Sequence, residues 1–127
     1  MIPLCPEAIS KEDGQKKNDC ELNAAKRLIK QLAKDHPKLP MIIVEDALYA
    51  NGPHLALLKE QNMRYIIGVK PADHRLLFEW VDHPTTEVTC DEIQDPKTGV
   101  THRFRYVNGV PLNQAHLETP VNFLVFL

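Results

Sequence analysis

Three observations predict an α/β domain. An uninterrupted apolar run, Met41 to Val44, is followed by a helical segment and then by a second strand-like run, Arg64 to Val69. Ahead of this unit, Leu22, Ala25, Ile29, Leu32 and Ala33 recur at the spacing of one helix face. Behind it, after His83-Pro84, the pattern changes to strand-like segments separated by turn residues.

Taken in order, the elements have local physical reasons. Asn18 with Glu21 three residues later has capping-box spacing and marks the start of the first helix, which His36-Pro37 ends. The opposite face of that helix carries Glu21, Lys26, Lys30 and Lys34, the composition of a solvated surface. Met41 to Val44 has strand length and no polar alternation, so it is expected to be buried on both faces. Asn51-Gly52-Pro53 punctuates next, with Asn51 or Gly52 as helix cap and Pro53 at the first helical position. Leu55, Leu57, Leu58 and Met63 form the expected buried side of the second helix. Arg64 to Val69 is rich in β-branched residues and tyrosine, and returns as strand. The connection between the two strands is long enough for a crossover helix, so they should be parallel and right-handed. Pro71 and Asp73 open a third helix with Leu76, Leu77, Trp80 and Val81 facing inward.

Beyond His83-Pro84, Thr85 to Ile93 and Val100 to Val107 read as strands joined by the turn composition Asp95-Pro96-Lys97-Thr98-Gly99. In the second of them Val100, His102, Phe104 and Tyr106 alternate with Thr101, Arg103, Arg105 and Val107. Asn108-Gly109 marks a further turn, and Pro120 to Leu127 is a strongly apolar strand. An unpaired apolar strand is an aggregation liability, so the chain is expected to be truncated there. The organisation expected is a core over residues 1–84 and a β-rich region over 85–127.

Composition excludes several classes. The chain has 127 residues, 43% hydrophobic and 25% charged, which is ordinary globular composition. No apolar run approaches the ~20 residues of a membrane helix, and MIPLCPEAISKEDGQ lacks the layout of a secretory leader. Cys5, Cys20 and Cys90 are odd in number and far apart, which argues against a disulfide framework and favours a reducing, cytoplasmic setting. A net charge of −2 advertises no basic field for nucleic acid, though a local basic strip is compatible with it. The five glycines form no phosphate-cradling motif, which argues against a nucleotide-binding domain.

The candidate chemistry centres on Asp46. In open α/β sheets, ligands sit at the carboxyl ends of parallel strands, where the strand holds the first side chain of the loop rigidly. Asp46 occupies that place; an aspartate there also satisfies backbone groups of the turn, and both roles stand. Glu45 precedes it, but successive strand residues point to opposite faces, so the two do not readily serve one site. Lys70 ends the next strand, where a cation would meet a phosphate or simply be solvated. Asp19, Cys20 and Glu21 fall in the first helix turn, where acids favour the positive helix end. His54, His74, His83, His102 and His116 show no metal-ligand spacing, and most of them read as surface or cap residues. Arg103 and Arg105 share one strand face as candidate phosphate contacts or as the solvent side of a hairpin.

PLCPEAI, DGQKKNDCELNAAKR and VEDALYANGPHLALLKEQNMRYIIGVKPADH, followed by a β-rich stretch, resemble the middle of the catalytic domain of bacterial insertion-sequence transposases of the DDE class. The resemblance runs over nearly the whole chain. It implies a partial ribonuclease-H-like fold, a parallel β-α-β-α core followed by a β-rich insertion, with Met1 to Ile9 as the tail of an earlier strand. It also implies that Asp46 is the second aspartate of a catalytic triad that holds Mg²⁺ or Mn²⁺, and that the partner is DNA at the transposon ends. The other two acids would lie outside this chain. Two-metal phosphodiester chemistry needs several carboxylate oxygens from different elements, so these residues alone are expected neither to cut DNA nor to bind metal tightly. A second reading is a small α/β interaction module whose exposed sheet edges recruit a partner or a second copy, as a homo-oligomer.

Overall fold

The computed structural model describes residues 2–126, a mixed α/β chain with a parallel two-stranded sheet and a separate antiparallel three-stranded sheet. Its internal contacts divide it into Met1–Val69 and Lys70–Leu127. The change of sequence character, by contrast, comes only after Pro84.

In the first unit, residues 2–9 form no strand, contrary to the expectation for that stretch; Met1 lies outside the described residues. Among the described residues no strand pairs with this segment, and its Ile2, Leu4 and Ile9 are exposed. It is tied down instead by Arg27, whose guanidinium donates to Glu7 at 2.6 Å, to Asp13 at 2.7 Å and to the Ala8 carbonyl at 3.1 Å. Ser10 and Asp13 reciprocally cap a short 3₁₀ turn over Lys11–Asp13. The Arg27 hydrogen bond, helped by the Ser10 N–H, holds the Asp13 carboxyl below its usual range.

Helix α1 spans Lys17–Asp35. It starts one residue ahead of Asn18, at a Lys16 cap with no side-chain bond, so the Asn18–Glu21 capping box does not form. Its buried side is Cys20, Ala24, Ala25, Ile29 and Leu32. Strand β1, Ile42–Glu45, pairs in parallel with β2, Arg64–Ile67, through helix α2, Gly52–Glu60. Asn51 caps α2 by accepting from the His54 N–H at 3.0 Å, and Pro53 sits at the second helical position. Ile29, Leu32, Leu57, Leu58 and Met63 form the core, with Ile43, Tyr65 and Ile67 packed against it.

One expectation fails here. β1 is not buried on both faces: Ile42 and Val44 are exposed, as is Ile66 on β2. The apolar run reads as fully buried, but among the described residues helices cover only the Ile43 side.

In the second unit, helix α3, Arg75–Val81, packs on an antiparallel sheet of β3 (Thr89–Gln94), β4 (Thr101–Pro111) and β5 (Pro120–Phe126) in the order β3-β4-β5. Leu77, Val81, Val107, Val110, Leu112 and Phe123 are buried, and Phe78 meets Phe123 edge-on at 5.2 Å. Trp80, expected inward, is 49% exposed, because α3 has fewer than two full turns and buries only the Leu77–Val81 stripe. The β3–β4 turn is as composition predicts, with Asp95 accepting from Lys97 N–H and Thr98 hydroxyl, both at 2.8 Å. Asn108-Gly109 does not end its strand. Instead the β4–β5 register shifts between Val107 and Val110, and Gly109 at φ 71° supplies the left-handed residue of a bulge. No side chain of β3 is buried.

Candidate functional site

At the carboxyl end of β1 two adjacent acids take different directions. Glu45 continues the inward alternation of Ile43 and is 13% exposed, whereas Asp46 is exposed on the opposite side. The Glu45 carboxylate accepts a hydrogen bond from Nε2 of His54 at 2.7 Å, and His54 is only 2% exposed. A buried imidazole facing a largely shielded carboxylate makes this a strong hydrogen bond. Nδ1 of His54 is buried with no hydrogen-bond partner among the described residues. The Tyr49 ring lies 5.2 Å from the imidazole.

Asp46 accepts from the Leu48 N–H at 2.9 Å and so caps the 3₁₀ turn Ala47–Tyr49. The turn-satisfying role is therefore realised, on an exposed carboxylate at the end of a parallel strand. Close by, the Tyr49 phenol is pushed up, first by its burial and then by the negative charges of Glu21, Glu45 and Asp46. The field at this loop favours cations, but its acids do not converge. Among the described residues no group of three or more His, Cys, Asp and Glu is placed to hold a metal ion. With Glu45 committed to His54 and Asp46 on the other face, this donor set does not fit a two-metal centre, which needs carboxylate oxygens from several elements on one point.

The other sequence candidates are dispersed. Lys70 is exposed and belongs to the second unit. Arg103 and Arg105 do share a face of β4, and each is already held by a carboxylate: Arg103 by Glu92 at 2.6 Å, Arg105 by Asp82 at 2.7 Å. Cys20 is buried, its Sγ 3.5 Å from the Gly14 carbonyl, in keeping with a packing role. Asp19 is exposed. The histidines divide: His83, bonded to Thr85 at 2.8 Å, is at the surface, and His74 is a buried residue at the cap position of α3.

His54 is not a surface residue: it is buried and paired with Glu45, a role that metal-ligand spacing does not bring out. The signal was present in the spacing: His54 stands four residues before Leu58, on the same helix face, and Leu58 is fully buried. Glu45 two residues after Ile43 then falls on the facing side of β1.

No helix among the described residues is long and apolar enough to cross a membrane. Comparison of the chain with protein-family models, with curated proteins and with solved structures returns no match.

Proposed function

We propose that the chain is the central part of the catalytic domain of a DDE-class insertion-sequence transposase, with Asp46 as its contribution to DNA cleavage and strand transfer in a longer protein. The observation that carries this reading is the position of Asp46, an exposed carboxylate directly following β1 of a parallel β1-α2-β2 unit. The sequence blocks KNDCELNAAKR and VEDALYAN support it by resemblance. A ribonuclease-H-like core and DNA at the element's ends belong to the same proposal. Mg²⁺ or Mn²⁺ would be held in the longer protein, Asp46 being one ligand among several. One carboxylate cannot hold two hard cations, so no metal-dependent step is assigned to these residues alone.

A plasmid nicking and joining assay tests the proposal. The chain alone leaves supercoiled DNA intact with either metal. The longer reading frame cuts and joins, and Asp46→Asn in it lowers the rate by at least ~100-fold, the order of effect of removing one catalytic group. Nicking by the isolated chain, or full activity of the Asn variant, refutes the reading. A second reading, an interaction module, is favoured by a different observation: Ile93, Leu124 and Phe126 lie on one face of the antiparallel sheet and are each about 60% exposed.

A further inference from the structure

Among the described residues of the first unit, helices pack on one face of the parallel sheet. Ile43, Tyr65 and Ile67 turn toward them, while Ile42, Val44 and Ile66 on the other face are 58%, 72% and 63% exposed. Parallel sheets are ordinarily covered on both faces, because their strands are apolar on both.

Two charges bracket this bare patch. Register sets Arg64 beside Ile42 at one end. Alternation along β1 sets Asp46 on the same side at the other end, roughly 13 Å away at the usual rise per strand residue. Neither residue takes part in an ion pair among the described residues. The face therefore reads positive, apolar, negative along the strand direction.

That order is complementary to itself when reversed. Two such faces, packed about 10 Å apart with a two-fold axis running across the strands at Val44 and Ile66, bring Arg64 of each copy over Asp46 of the other. An axis along the strands would instead stack like charge on like. A nucleic acid finds little here, since the patch is apolar with balanced charge. We propose that this face is a self-association surface, occupied by a second copy of the chain in antiparallel orientation. The footprint is small beside the ~800 Å² per partner of a standard interface, so the association is weak and driven by concentration. This inference goes beyond the DNA reading and is tested without DNA or metal; in the associated state Asp46 is engaged by Arg64 of the second copy.

Sedimentation equilibrium of the whole chain is the test, with folding followed by circular dichroism. Between ~10 μM and ~1 mM the average mass is expected to rise from that of one chain toward that of two. Arg64→Glu leaves both ends of the face negative, and Asp46→Lys leaves both positive. Each variant alone should associate at least ~10-fold more weakly than the native chain, and their equimolar mixture more tightly than either, since charge now pairs across the interface. A native chain that stays monomeric at ~1 mM overturns the proposal, and so does a mixture no tighter than its components. The native chain provides a test free of substitutions: association unchanged between ~50 mM and ~0.5 M salt overturns the ion-paired arrangement.

Discussion

Removing the Glu45 carboxylate should unlock the first unit more than its single contact suggests. In Glu45→Ala, His54 keeps its place at 2% exposure but loses its 2.7 Å partner, so both ring nitrogens are buried without a hydrogen bond. An unsatisfied buried polar group costs about 1–3 kcal/mol. Glu45 is 13% exposed, and water can reach it, so a loss of about 2–3 kcal/mol is expected. Glu45→Gln keeps an acceptor in place and should cost only about 1 kcal/mol. Urea unfolding followed by far-ultraviolet dichroism measures this; at a slope of ~1 kcal/mol/M the Ala midpoint falls by ~2 M or more. The double-mutant cycle with His54→Ala isolates the pair and should give a coupling of ~1–2 kcal/mol. A coupling near zero, or equal losses for Ala and Gln, would refute the reasoning.

Three further outcomes are expected. Burial, foremost, raises the phenols of Tyr49 and Tyr65 above their ordinary 10.0, so the stability they contribute is fully present below pH 10.0 and is lost as pH rises through the raised values; Tyr49→Phe and Tyr65→Phe should flatten that alkaline decline in pH-dependent urea melts. Gly109→Ala meets no atom within 4 Å, so its loss comes from the φ of 71° alone and should be about 1–2 kcal/mol by chemical denaturation, with Gly109→Asn closer to native. Gly14→Ala places its Cβ 2.5 Å from the Asp19 Cβ and 3.1 Å from backbone atoms, so the turn before α1 must move; hydrogen exchange at Cys20, whose N–H bonds the Lys16 carbonyl at 3.1 Å, should accelerate, and unchanged protection would contradict the packing described.

What was legible in the sequence follows from how local each signal is. Helical spacing in α1, the Asn51 cap, the parallel β1-α2-β2 unit and the Asp95–Gly99 turn are set by residues close in the chain, and they were readable. The bare side of β1 was not, because an apolar run reports that a face wants cover, not that cover exists. Asn108-Gly109 reads as a turn by composition, and only the partner strand β5 reveals that the chain runs straight through it as a bulge. The first helix starts without a side-chain cap at Lys16, and the restraint before it depends on Arg27, distant from Glu7 and Asp13 in sequence. At the candidate site, the divergence of Glu45 and Asp46 was legible from strand alternation. The His54 partnership is harder to read, because it joins a helix face shared with Leu58 to a strand residue nine positions earlier.

The wholly exposed β3 has a kinetic consequence. Its six residues are joined to β4 through a ladder from Thr89–Tyr106 to Gln94–Thr101, and not one of its side chains is buried. Detaching it exposes little new apolar surface, so its opening is set by backbone pairing and by the Arg103–Glu92 contact at a solvated surface. Amides of β3 should therefore exchange through a local opening well below the free energy that protects Val107 and Phe123. The same opening bares the edge of β4, so proteolytic nicking and strand exchange between molecules are expected to begin at this hairpin before the rest of the unit unfolds.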